Sequence, residues 1–197
     1  MSEKIWSYDF EKHKEIKAGT LLLSAPFSID DYFSRSVVLI CRHDHLGTHG
    51  LIINKVLEGL TLHSLVANFP IDFNAKVLFG GPVSKDYVQY VHNQGMLLQD
   101  STKIADGVYW GGDFEQVKKH IRQGKILPQH IRFFLGYAGW EPGQLEEELK
   151  QDSWIISQNA NNALFYSNPL LLWSEILSNM GGVYRSMSNY PENPQLN

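Results

Sequence analysis

Residues Phe133–Ile156 read FFLGYAGWEPGQLEEELKQDSWII. An apolar run, a glycine- and aromatic-rich turn, a short acidic segment and a second apolar run follow one another in that order. The aromatic and branched residues of Ile131–Tyr137 predict a strand. Gly136 and Gly139 then supply positions where the chain can take a positive φ or let another backbone come close. Pro142 suits a first helical position, and Glu146–Glu148 lie near the positive helix end, so a helix is expected over 142–150. Leu145 and Leu149 share its inner face, and Ser153–Ser157 returns as a strand. Trp140 and Trp154 bracket the helix. They are expected to clamp its two ends onto a sheet, each burying on the order of 200 Å².

Working upstream, Thr20–Leu23 reads as a buried strand closed by Pro26, and Asp30–Phe33 as a turn. Ser36–His43 and His49–Val56 are strands joined by the turn residues DHLGT, which predicts an antiparallel hairpin. Lys76–Phe79 is a strand stopped by Gly80-Gly81-Pro82, and Tyr87–His92, Gly95–Gln99 and Gly107–Trp110 read as further short strands. Helices are expected over 60–67, 114–122 and 169–179. Asp113 and Asn168 are the N-caps of the last two, and Gly124 and Gly181 lie past their ends. In 114–122, Phe114, Val117 and Ile121 share one face while Lys118, Lys119 and Arg122 point away. Hairpins come first and helices late. That order predicts an α+β fold with a mainly antiparallel, curved sheet rather than a doubly wound parallel one.

The 197 residues fit a single domain over 1–197, with 1–18 as a lead-in and 188–197 as a polar, proline-bearing tail expected to be mobile. The lone Cys41 rules out an intrachain disulfide. The N-terminus interleaves acids and bases instead of carrying a signal-peptide core. The longest apolar runs fall short of the roughly 20 residues that span a bilayer. The expectation is a soluble, cytoplasmic protein. A net charge of -4 lowers the case for nucleic-acid binding, which favours a basic surface.

Several residue groups invite a chemical reading. Cys41, His43 and His45 have strand spacing, with His49 and Asp44 nearby, but match no closed zinc signature. Cys41 inside VVLIC reads as a packing residue, not a nucleophile. Gly80-Gly81-Pro82 fits neither a Walker nor a dinucleotide loop and reads as a tight strand exit or bulge. There is no G-x-S-x-G. Glu146–Glu148 read as a solvated helix face, with Glu146 and Lys150 at surface-pair spacing. Lys118–Lys125 is the best basic run, but no DNA-binding motif accompanies it. No catalytic residue, metal ligand or cofactor is assigned.

GTLLLSAP, DDYFSRSVVLICRH, GTHGLIINK, FGGPV, GYAGWEPGQLEEEL and SWII, in this order from Gly19 to Ile156, resemble the YqgE/AlgH family. Matching positions include Gly19, Pro26, Asp31, Phe33, Arg35, Ser36, His43, Gly47, Gly50 and Asn54. They continue through Gly80, Gly81, Pro82, Gly136, Tyr137, Gly139, Trp140, Gly143, Gln144, Leu145, Glu146 and Trp154; His45 and His49 fall outside the pattern. The resemblance implies a bacterial protein of a family described as transcriptional regulators. It implies a bifurcated sheet folded into a pseudo-barrel, and neither an enzymatic activity nor a cofactor. The leading expectation is a non-enzymatic regulatory or interaction domain that acts through a protein partner. Its candidate surface comprises Asp31, Arg35, His43, Asn54, Gly80, Gly81, Tyr137, Trp140 and Gln144. A small-molecule ligand or an unrecognised enzyme with a pocket near Asp31, Arg35, His43 and Asn54 is the first alternative, and direct DNA binding the second.

Overall fold

The computed structural model describes residues 15–191 apart from 27, 29 and 159; the expectations for 1–14 and 192–197 lie outside the described residues. The first strands are β1 (Leu21–Ser24), β2 (Val37–Asp44) and β3 (Gly47–Ile52), followed by the single helical turn α1 (Leu62–Leu65) and β4 (Val77–Phe79). Next come β5 (Val83–His92), β6 (Thr102–Ala105), β7 (Val108–Trp110), α2 (Phe114–Arg122) and β8 (Ile131–Trp140). The chain closes with α3 (Gln144–Lys150), β9 (Trp154–Ser157), α4 (Ala160–Leu164), α5 (Leu172–Met180) and α6 (Gly182–Ser188).

The strands form one open sheet in the order β6-β7-β5-β8-β3-β2-β1-β9, with β4 added to β8 off this path. All pairings between named strands are antiparallel except β4 with β8. The expected α+β class is what the chain adopts, and the sheet branches rather than closing. The alternation of β2 explains why it lies at the centre. Val37, Leu39 and Cys41 enter one core with Leu21, Leu23 and Trp173. Val38 and Ile40 enter another with Leu22, Ile52, Trp140, Leu145 and Trp154. A period of two sends neighbours to opposite faces, so a strand apolar on both faces is buried on both. A third core lies under α2, where Val117 and Ile121 meet Val77, Tyr90, Ile131 and Phe133.

Some expectations need correcting. Gly95–Gln99 is a turn, closed by the Leu97 and Leu98 N–H groups donating to the Gln94 carbonyl at 3.0 and 3.2 Å. Leu98 plugs the third core while Met96 is fully exposed, so a short apolar run here is one anchor residue rather than a strand. Helix α3 starts at Gln144, because Gly143 with φ 80 takes the N-cap and leaves Pro142 in the preceding turn. The 169–179 segment divides into a 3-10 turn, Pro169–Leu171, and α5, with no side-chain cap from Asn168. Gly181 does follow α5, but α6 continues beyond it. Lys118 does not point away: it is only 7% exposed, ion-paired to Glu115 at 2.6 Å and set over the Phe114 ring.

Candidate functional site

The residues singled out in the sequence fall into separate places. The first is the branch of the sheet. The N-terminal half of β8 pairs with β4 through Phe133–Leu135, and its C-terminal end pairs with β3 through Ala138–Trp140. Gly136, between these halves, has φ 72. Gly80 N–H donates to the Leu135 carbonyl at 2.9 Å, and the Gly80 carbonyl accepts from Ile52 N–H at 2.9 Å. A Cβ on Gly81 would stand 2.2 Å from the Tyr137 carbonyl carbon, and one on Gly136 would stand 2.4 Å from the Gly81 oxygen. Two backbones cross here at a distance that admits no side chain, so Gly80 and Gly81 form the branch point rather than an anion loop.

The second place is the corner after β8. Trp140 and Trp154 pack edge-to-face at 5.8 Å, and Phe33 lies against both. Both indole N–H groups donate to one oxygen of Glu148, at 2.8 and 2.7 Å. The other oxygen accepts from Gln144 Nε2 at 2.8 Å, while Gln144 Oε1 caps the Glu141 N–H at 3.0 Å. Glu148 is therefore not part of a solvated face. The two tryptophans meet on one carboxylate, a tighter arrangement than a clamp at each helix end. Lys150 pairs with Glu147 at 2.5 Å, not with Glu146. Glu146 instead lies 3.5 Å from His43 Nε2, and His43 Nδ1 shares a 2.7 Å hydrogen bond with the Thr48 hydroxyl.

The third place gathers Asp31, Arg35 and Asn54 near the start of β2. Asn54 is 5% exposed and bridges two backbone groups. Its oxygen accepts from Val37 N–H and its amide donates to the Arg35 carbonyl, both at 2.8 Å. Asp30, not Asp31, caps the turn by accepting from the N–H groups of Tyr32 and Phe33 at 2.8 and 3.0 Å. Asp31 is exposed, and its carbonyl lies 3.5 Å from Lys55 Nζ. The Arg35 guanidinium sits 5.3 Å from the Trp173 ring centroid and donates to the Tyr190 carbonyl.

A fourth cluster escaped the sequence reading. The His49 ring stacks on Tyr137 at 4.2 Å and lies tilted against Trp110 at 4.9 Å. His49 Nε2 and Trp110 Nε1 both donate to the carboxamide oxygen of buried Gln89, at 2.9 and 3.1 Å. Burial holds the His49 pKa below the ordinary histidine value, with the Gln89 bond acting the other way and Arg42 adding to the depression. The signal for this cluster was Gln89, a lone polar residue inside the apolar strand YVQYVH.

The cysteine–histidine group does not converge. The register of β2 against β3 shifts between Ile40 and Arg42, placing a bulge at Cys41. Cys41 lies in the core and burial raises its thiol pKa, whereas His45 is exposed in the turn. In the basic run, Lys118 is ion-paired as described and Arg122 donates to the Asn68 carbonyl at 2.7 Å. Among the described residues, no helix is long and apolar enough to cross a membrane.

Residues 21–185 match the AlgH-like family. A UPF0301 protein of Cytophaga hutchinsonii is 42% identical over 180 residues, which cover 91% of this chain and 98% of the relative. A UPF0301 protein of Bacteroides fragilis is 40% identical over 179 residues, covering 91% and 90%. The solution structure of AlgH from Pseudomonas aeruginosa superposes with a TM-score of 0.69 at 26% identity, covering 95% of this chain and 98% of that one. A crystal structure of a Corynebacterium diphtheriae protein gives a TM-score of 0.74 at 21% identity over 90% and 94%, a likeness of fold.

Proposed function

The chain belongs to the AlgH-like family, and on that premise we propose that it is a non-catalytic, cytoplasmic interaction domain that affects transcription through a protein partner. The observation that supports this reading is a looped-out segment of β5. Val83 pairs with Tyr137 and Val88 with Leu135, so residues 84–87 stand opposite Gly136 alone. Ser84 takes φ 47, and the segment swings out of the ladder. It presents Val83 and Tyr87, the latter 62% exposed.

Tyr32, itself 43% exposed, joins this surface. Its ring stacks on Phe79 at 5.8 Å, and the Lys85 ammonium lies 4.6 Å from the ring centroid and 3.1 Å from the phenol oxygen. The cation over the ring orders both side chains before any partner arrives. Tyrosines held this way lose little rotamer freedom on contact, which is why they are enriched at protein interfaces. The motif residues Asn54, Gly80, Gly81, Trp140 and Gln144 are engaged in the fold, and that leaves the Tyr32–Tyr87 face as the contact surface.

In-cell photo-crosslinking from position 87, followed by identification of the captured protein, tests the proposal. One reproducible partner is expected, lost in the Tyr32→Ala/Lys85→Ala variant. Capture of the same protein by that variant, or equally from exposed Leu127, contradicts the assignment of this face.

A further inference from the structure

Arg35 is held in an arrangement that its bonds in this structure do not complete. It takes φ 50, a left-handed conformation that costs a non-glycine residue roughly 1–2 kcal/mol. The backbone on either side is fixed. Asn54 bonds the Arg35 carbonyl and the Val37 N–H, and Ser36 N–H donates to Ser24 Oγ at 3.0 Å. The platform under the guanidinium is fixed as well, because the indole N–H of buried Trp173 donates to the Ser24 carbonyl at 3.0 Å. Asn54, Ser24 and Trp173 thus come from three different segments to orient one arginine.

The guanidinium itself is only half used. Nη2 donates to the Tyr190 carbonyl, while Nε is buried without a hydrogen-bond partner. Arg35 makes no ion pair among the described residues. Nε and Nη2 form one edge of the guanidinium, a fork that matches the two oxygens of a single carboxylate. A main-chain carbonyl offers one oxygen and leaves the second prong empty. An unpaired buried N–H carries a desolvation penalty that a second acceptor oxygen removes. Ser36 Oγ, next in the chain, is also buried without a partner.

We propose that Arg35, stacked on Trp173, is a carboxylate-binding site and that the chain at Tyr190, beyond α6, closes it by lending its carbonyl to half of the fork. A carboxylate displaces that carbonyl, takes both Nε and Nη2, and releases the C-terminal stretch from the site. The carboxylate can come from a small acid or from the end or side chain of a peptide; the recognition chemistry is the same.

The test uses the full chain and the Arg35 Nε–H resonance, assigned by its disappearance in Arg35→Lys. Acetate, a short peptide with a free C-terminal carboxylate and the same peptide as its amide are titrated against chloride at matched ionic strength. The expected result is a saturable shift of the Arg35 Nε–H together with the Tyr190 backbone amide. It should appear with a carboxylate and not with chloride or the amide peptide. Arg35→Lys keeps the charge but loses the planar fork, so the Tyr190 shift should vanish in it. Response to acetate and peptide alike identifies a general carboxylate site, and response to the peptide alone identifies a peptide-terminus site. No shift, a shift matched by chloride, or equal response to the amide overturns the proposal, and does so on the wild-type chain even if Arg35→Lys does not fold.

Discussion

Replacing Glu148 should cost far more than its place on a surface helix suggests. Its carboxylate accepts from Trp140 Nε1 at 2.8 Å, Trp154 Nε1 at 2.7 Å and Gln144 Nε2 at 2.8 Å. Both tryptophans are 6% exposed, so their N–H groups have little access to water. Glu148→Ala strands two buried donors at about 1–3 kcal/mol each. Glu148 is half-buried, so water can enter from its open side, and the low part of that range applies. The expected loss is about 2–4 kcal/mol, a large fraction of a typical 5–15 kcal/mol stability. Glu148→Gln retains an oxygen that both indoles can reach and loses the charge assistance, so about 1 kcal/mol is expected. Urea unfolding followed by far-UV circular dichroism measures both changes. A double-mutant cycle with Trp140→Phe isolates the shared bond, and its coupling should exceed about 0.5 kcal/mol. Glu148→Ala within about 0.5 kcal/mol of wild type, or Glu148→Gln as damaging as Glu148→Ala, would refute the shared-carboxylate reasoning.

Other outcomes follow from the same physics. Stability should fall as the solution is acidified below the ordinary histidine pKa. Burial depresses the folded-state pKa of both His49 and His92, so the unfolded chain takes up those protons first. The stabilisation is complete above the unfolded value and is lost as pH drops through the folded one. His49→Gln should flatten the fall of unfolding free energy between about pH 7.5 and about pH 5.5, and an unchanged slope would clear His49 of that role. Cys41 should resist iodoacetamide in the native protein and react at the rate of global unfolding, because burial keeps the thiol protonated and out of reach. Rapid labelling of folded protein would place Cys41 outside the core.

Local chemistry decided what could be read before the structure. The β2–β3 hairpin and β8 showed in their apolar alternation and turn residues. The N-cap of α2 showed in Asp113, whose side chain accepts from the N–H groups of Glu115 and Gln116. What escaped depends on residues far apart in the chain. Gly80 and Gly81 were visible as a strand stop, but nothing local indicated that they cross β8 at Gly136. Glu148 sits in a run of three glutamates, and only the positions of two distant indoles set it apart. Gln89 became a site residue only when β3 and β7 brought His49 and Trp110 to it. Arg35 was visible as a motif residue, whereas its cover, Tyr190, lies at the far end of the chain.

The central claim is that the glycines of the motif mark a backbone crossing on which the branched sheet depends. Gly136 and Gly143 provide an internal control, with φ 72 and φ 80. Alanine pays the same left-handed cost at each, about 1–2 kcal/mol. At Gly143 an added Cβ meets nothing within 4 Å, whereas at Gly136 it stands 2.4 Å from the Gly81 oxygen and 2.9 Å from the Val83 oxygen. The measurement is the difference in unfolding free energy between Gly136→Ala and Gly143→Ala. Gly143→Ala should fold with a loss of about 1–2 kcal/mol, and Gly136→Ala should lose at least about 2 kcal/mol more or fail to fold. Equal losses at the two positions would contradict the crossing and, with it, the structural role assigned to the motif.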